Sequence, residues 1–282
     1  MCVHDLMFDL SLVLAGFYPF ILASVYANDA VSSCERQQKH FDHSINMRIG
    51  GIQKISLIDF PGKVSTVVFT QGCNFRCEFC HNPSLVLPKM FDHIIDEGDI
   101  LSFLKSRKGL IDGVVLSGGE PTIQADLFQF IEKTKKMGFL VKLDTNGTNP
   151  DVLRDLYSKN LLDYVAMDIK HTLGKYSTIV GKNTDIQKIQ QSISIIMNSG
   201  VDYEFRTTIV PKFHSVDDIK QIAKLIDGAN CFVLQEFVPD HAINRNLSSE
   251  NSIFDNSNSA ILDDLINFCK NSIKNVILRR AK

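Results

Sequence analysis

From residue 65 to 238, short β-rich apolar runs alternate with stretches whose apolar residues recur at helical spacing. The runs are STVVFT (65–70), GVVLSG (113–118), FLVKLDT (139–145), YVAMDI (164–169), YEFRTTIV (203–210) and CFVLQEFV (231–238). In DLFQFIEKTKKMG (126–138), Leu127, Phe130, Ile131 and Met137 fall roughly on one face and Gly138 closes the helix. DIQKIQQSISIIMNSG (185–200) repeats the pattern with Ile186, Ile189, Ile193, Ile196 and Met197, and ends at Gly200. These stripes read as core packing. Six strand-then-helix units predict an α/β fold, a parallel sheet with outer helices covering it. A final helix, ILDDLINFCK, and a short apolar NVIL run close the chain, while the Asn- and Ser-rich NLSSENSIFDNSNSA (246–260) predicts an exposed loop.

Composition narrows the function classes. The chain has 282 residues, 44% hydrophobic and 22% charged, which is globular rather than disordered. A net charge of −2 supplies no basic field for nucleic acid. Seven cysteines, an odd number with only three clustered, make a poor disulfide framework and suit a reducing, cytoplasmic compartment. The first 46 residues stand apart. Leu10 to Ala27 is uncharged, but Asp5 and Asp9 precede it where a signal peptide carries positive charge, and Pro19 interrupts it. A membrane anchor is disfavoured by its marginal length. The expectation is that the natural chain starts at Met47, with residues 1–46 a start-site artefact or dispensable extension and residues 47–282 one domain.

In parallel sheets, ligands gather at the carboxyl ends of the strands. The chemically unusual residues of this chain fall there. A loop with Cys73, Cys77 and Cys80 follows the first run, GGEP the second, DTNG the third and DIK the fourth. Thiolates at C-x3-C-x2-C spacing suit an iron–sulfur cluster or zinc. A closed zinc site takes four ligands. His81 is adjacent to Cys80, a strained pairing on one ion, and no second CxxC pair is present. A non-catalytic, zinc-stapled binding protein remains the alternative at this point.

The motif Cys73, Cys77, Phe79, Cys80 resembles the C-x3-C-x-aromatic-C hallmark of the radical S-adenosylmethionine (radical SAM) superfamily. The resemblance implies a partial (β/α)6 barrel and a 4Fe–4S cluster held by three cysteines. Its fourth iron is chelated by S-adenosylmethionine, whose reductive cleavage yields a hydrogen-abstracting 5′-deoxyadenosyl radical. It further implies that Gly118, Gly119 and Glu120 bind the methionine amino group and that Phe79 lies against the adenine region. Lys170, assisted by Asn146, pairs with the cofactor carboxylate in the same reading, and Arg206 reaches the cofactor. Asp144, Thr145 and Asp168 resemble residues that hold a monovalent cation in glycyl-radical-enzyme activases. Ordinary roles compete at several positions: a turn for the TNG triplet, an internal salt bridge for Arg206 and solvent shielding for Phe79. His81 and Pro83 are expected only to shape the turn out of the loop.

The stretch GGIQKISLIDFPGKVSTVVFTQGCNFRCEFCHNP is similar to activating proteins of anaerobic ribonucleoside-triphosphate reductase, in the branch with FPG ahead of the cluster and HNP after it. This implies a glycyl-radical enzyme as partner, a flavodoxin or ferredoxin as electron donor, and a backbone glycine as substrate. The alternative within the superfamily is a small-molecule enzyme such as 7-carboxy-7-deazaguanine synthase. By position, the 246–260 loop and the SLIDFPG segment are candidates for lining the partner groove.

Overall fold

A computed structural model describes residues 47–280. The apolar run at 10–27 and the expected boundary at Met47 concern residues 1–46, which lie outside the described residues. Among the described residues, no helix is long and apolar enough to cross a membrane.

Eight strands form one sheet in sequential order. They are β1 (Ile49–Ser56), β2 (Ser65–Thr70), β3 (Gly113–Gly118), β4 (Leu140–Thr145), β5 (Tyr164–Asp168), β6 (Asp202–Ile209), β7 (Cys231–Glu236) and β8 (Asn275–Arg279). β1 pairs antiparallel with β2, and every later pair is parallel. Parallel neighbours need a crossover between them. α1 (Glu97–Ser106), α2 (Leu127–Lys136), α3 (Pro150–Ser158), α4 (Ile186–Met197), α5 (Val216–Leu225) and α6 (Ser259–Lys270) each lie in one crossover.

Local chemistry fixes where several helices start. Asp96 and Asp185 accept backbone N–H groups in the first turns of α1 and α4, and Ser215 with Asp218 forms a reciprocal capping box on α5. Val114, Val115 and Leu116 of β3 are all buried, as are Phe232, Val233 and Leu234 of β7. Burial on both faces is why these strands read as unbroken apolar runs instead of alternating ones.

The six expected strands are β2 to β7, and two more flank them. β1 was not foreseen because its IGGIQKIS sequence carries two glycines and polar residues that suit an edge. β8 contains the apolar NVIL run, but a strand of five residues is too short to be told from a helix segment by periodicity. The exposed-loop reading of 246–260 also needs correction. Leu247 and Phe254 are buried in the main core and anchor the segment between its polar residues. The SLIDFPG segment joins β1 to β2 where the parallel strands begin, with Phe60 packed on Val67, Val115 and Tyr164. That is the opposite end from the cysteine loop, so it is not part of a groove at that mouth.

Candidate active site

The loop after β2 carries the three cysteines and is held from several directions. Arg76 Nη1 donates to the carbonyls of Cys73 and Phe75, both at 2.6 Å, and Arg76 N donates to Val180 O at 2.7 Å. Cys80 N donates to Cys77 O, closing the second half into a turn. Asn74 receives a hydrogen bond from Asn146 Nδ2 and donates to Thr148 Oγ1, each at 2.8 Å. The segment after β7 then folds across: Ile243 N donates to Cys80 O and Asn244 N to Glu78 O. His81 stacks on Phe237 at 5.5 Å, and Pro83 opens a short helix, Pro83–Val86. Both shape the exit of the loop.

The GGE segment continues the sheet onto this loop, with Gly119 N donating to Thr70 O and Glu120 N to Gly72 O, both at 2.8 Å. Gly118 has φ +108°, and a Cβ there would sit 2.5 Å from Thr70 N. At Gly119 a Cβ would overlap the Gly72 carbonyl. The glycines therefore permit contact between two backbones, which in turn aims Glu120 inward.

One cavity of about 250 Å³ is bordered by every site residue the sequence nominates: Cys73, Cys77, Phe79, Cys80, Gly118, Gly119, Glu120, Asp144, Thr145, Asn146, Asp168, Lys170 and Arg206. Its walls come from the loop after β2 and from the ends of β3 to β7, so the sheet curls around it. Phe75, Ser117, Thr208 and Gln235 also line it and were not nominated. Thr208 lies two residues after Arg206 on β6 and shares its face, whereas Gln235 lies on a strand with no nominated residue, so the sequence offered no signal for it.

Glu120 is 1% exposed. Its Oε1 accepts from Thr122 N, Thr122 Oγ1 and Thr145 Oγ1, and its Oε2 from Asn146 N. Burial pushes its pKa up, while these donors oppose the shift. All four donors are neutral, and among the described residues no ion pair to Glu120 is formed by a basic side chain. A buried carboxylate so arranged is an acceptor for an ammonium group.

A charged network lies on the other wall. Asp144 Oδ1 receives Lys142 Nζ at 2.6 Å, and Oδ2 receives Ser117 Oγ at 3.0 Å and Arg206 Nη1 at 3.3 Å. Asp168 Oδ1 receives Arg206 Nε at 2.7 Å, and Oδ2 receives Lys170 Nζ at 2.9 Å. Burial alone would raise both carboxyls. The Arg206 charge, with Lys142 at Asp144 and Lys170 at Asp168, overturns that and holds both below the usual carboxylate range. Lys170 Nζ also lies 6.0 Å from the centre of the Phe79 ring. Beneath this layer, Glu204 takes Tyr164 Oη at 3.3 Å and faces Arg206 and Arg279 at 3.9 and 3.6 Å. Sequence reading singled out Arg206 but passed over Lys142 and Glu204. Each is a charge two residues before a nominated one on the same strand, and that period-two placement was the available signal.

Burial raises all three thiols. Burial pushes Cys73 up to about 12, reinforced by Glu120, and Cys77 up to about 11 against the opposing pull of Lys170. Cys80 is raised by burial as well. Iron or zinc binding at this loop must therefore expel protons. Among the described residues, no three His, Cys, Asp or Glu side chains gather as ligands of one metal ion. A zinc staple requires such convergence. A polynuclear cluster instead needs sulfurs bordering a volume, and the cavity offers that arrangement. Of the three residues that the resemblance assigns to a monovalent cation, Thr145 donates through Oγ1 to Glu120, and Asp144 and Asp168 pair with protein cations.

Comparison with known proteins agrees with this geometry. The profile of the radical SAM superfamily matches residues 67–226. A Methanocaldococcus jannaschii protein, provisionally named a glycyl-radical enzyme activating enzyme, is 36% identical over 238 residues, 82% of this chain and 95% of that one. The pyruvate formate-lyase-activating enzyme of Clostridium pasteurianum is 31% identical over 206 residues, 71% of this chain and 84% of that one. Among solved structures, Streptococcus suis SuiB bound to precursor peptide SuiA superposes with a TM-score of 0.61 at 12% identity. That match covers 97% of this chain and 58% of SuiB, and it speaks to the fold alone.

Proposed function

The chain belongs to the radical SAM superfamily, with a 4Fe–4S cluster and S-adenosylmethionine as its cofactors, and from that premise we propose that it activates a glycyl-radical enzyme, the anaerobic ribonucleoside-triphosphate reductase. Cys73, Cys77 and Cys80 would hold three irons. Together the bound cofactors supply, after one-electron reduction, a radical that removes hydrogen from the substrate. The rest of the work falls to side chains of this chain. Glu120 accepts the methionine ammonium, and Lys170 receives the carboxylate above the Phe79 ring. Phe79, backed by Phe213 and His214 at 6.2 and 6.4 Å, keeps water from the loop. Arg206 fixes Asp144 and Asp168 so that Lys170 stays at the mouth.

The observation that carries this reading is the single cavity joining three thiols to a buried carboxylate that, among the described residues, has no basic partner. Relatives named as activating enzymes support a glycyl-radical enzyme as substrate, and the FPG and HNP flanks favour the reductase among such enzymes. A cytoplasmic site of action and a flavodoxin or ferredoxin donor complete the proposal, with residues 47–282 as the catalytic domain.

Electron paramagnetic resonance tests it. Anaerobically reconstituted protein, mixed with the reductase, S-adenosylmethionine and a reductant, is expected to produce the doublet of a glycyl radical on the reductase. Cleavage of the nucleotide with no such doublet would reject the reductase and point to another substrate. Stoichiometric zinc in a colourless preparation would reject the cluster itself.

A further inference from the structure

The resemblance implies a monovalent cation at Asp144, Thr145 and Asp168. The side chains here do not form a cage for one. Thr145 Oγ1 donates to Glu120 and receives Gly147 N–H at 3.1 Å, so the hydroxyl is committed elsewhere. All four carboxylate oxygens of Asp144 and Asp168 lie within 3.3 Å of a protein cation: Lys142, Arg206 twice, and Lys170. Lys142 is the unexpected member. It is 2% exposed, sits two residues before Asp144 on β4, and so shares that residue's face. A lysine this buried is rare unless paired. The pair is short, at 2.6 Å, and the ammonium also lies 5.8 Å from the centre of the Tyr164 ring.

Charge balance points the same way. Three protein cations face the two aspartates. Glu204 below them is answered by Arg279 at 3.6 Å as well as by Arg206 at 3.9 Å. A further ion would add like charge to a buried cluster in which Lys142, Arg206 and Lys170 already match Asp144, Asp168 and Glu204 one for one.

We propose that Lys142 is a positioning residue that replaces the monovalent cation. Its tethered ammonium fixes Asp144, which fixes Arg206 and through it Asp168 and Lys170, so the chain binds S-adenosylmethionine without an added cation. The proposal rests on the reading of the cavity as the cofactor site. The test is calorimetric binding of S-adenosylmethionine to cluster-loaded protein in choline buffer, with and without 100 mM (~0.1 M, about the ionic strength at which exposed charges are largely screened) potassium or sodium. Thallium-205 resonance of the same protein is recorded in parallel.

Wild-type affinity is expected to change less than about twofold between the salts, with no bound thallium signal. Lys142→Met, of similar shape without charge, is expected to bind about tenfold more weakly in choline and to recover in potassium, whereas Lys142→Arg stays near wild type. Iron content and circular dichroism establish that the variants are folded. A tenfold dependence of the wild type on potassium or sodium, or a saturable thallium site, overturns the proposal even if Lys142→Met fails to fold. Wild-type affinity in a folded Lys142→Met variant in choline overturns it as well. Failure of the wild type to bind the nucleotide in any salt strikes the reading of the cavity instead, and the thallium measurement still decides the cation question.

Discussion

Cys77 and Cys269 are both buried, yet only Cys77 borders the cavity; Cys269 lies on the buried face of α6, packed into the core. Cys77→Ala should abolish iron loading and nucleotide cleavage. Cys269→Ala should leave both intact and cost about 1 kcal/mol of stability from lost packing. Iron and acid-labile sulfide content separates the two, and equal loss in both variants would mean the ligands are misassigned. His214 carries a second residue-scale prediction. It stacks on His171 at 4.8 Å, accepts Val210 N–H at Nδ1 and lies 2.9 Å from Lys170 O through Nε2. The acceptor role of Nδ1 places the proton on Nε2, so neutral His214 ties the end of β5 to the loop after β6. Burial lowers its pKa from 6.5 to about 4. Between those values the unfolded chain takes a proton that the folded one refuses, so stability is full above pH 6.5 and falls as pH drops toward 4. The loss reaches about 3 kcal/mol. Urea unfolding of the metal-free protein from pH 7 to 5 measures it, and His214→Gln should flatten the slope; an unchanged slope in that variant would assign the pH dependence elsewhere.

At the scale of elements, the strap after β7 lies beyond the family profile, which ends at residue 226. Its backbone donates to Cys80 O at 3.1 Å and Glu78 O at 2.8 Å, and Asn244 Nδ2 donates to Glu78 Oε2 at 2.7 Å. The strap thus braces the half of the loop that carries Cys77 and Cys80. Asn244→Pro deletes both bonds from Asn244 to Glu78, each worth about 1 kcal/mol. Iron release to a chelator should then speed up several-fold while the far-ultraviolet spectrum stays unchanged. Identical release rates would show that the strap has no hold on the cluster loop. The sequence offers no hint of this contact, because Glu78 and Asn244 are 166 positions apart, Asn244 belongs to no motif, and Glu78 fills the position of the cysteine motif to which no role is assigned. The strands were easier: β2 to β7 are buried on both faces and announce themselves by composition, whereas the edge strands β1 and β8 do not.

For the whole molecule, the sheet extends past the family profile by two strands and one helix. Phe232, Val233 and Leu234 of β7 alone contribute roughly 5–9 kcal/mol of burial. That is comparable to the whole net stability of a typical domain, about 5–15 kcal/mol. A chain ending at residue 226 would also bare the β6 edge. It should lose cooperative thermal unfolding and become rapidly digestible by protease, and a sharp calorimetric transition in that fragment would refute the claim.

By itself, the sequence determined the local and periodic features: alternating elements, the inner strands, the tri-cysteine loop and the motif residues that line the mouth. Those signals lie within a few residues of one another, where backbone geometry and side-chain period act directly. Tertiary structure alone decided that residues from 73 to 235 share one cavity, that Glu120 meets only neutral donors, and that Lys142 and Arg206 claim the two aspartates. It also turned Leu247 and Phe254 into core residues inside a polar stretch. These outcomes depend on which charges and backbones a curled sheet brings within a few ångströms, and sequence separation carries no trace of that distance.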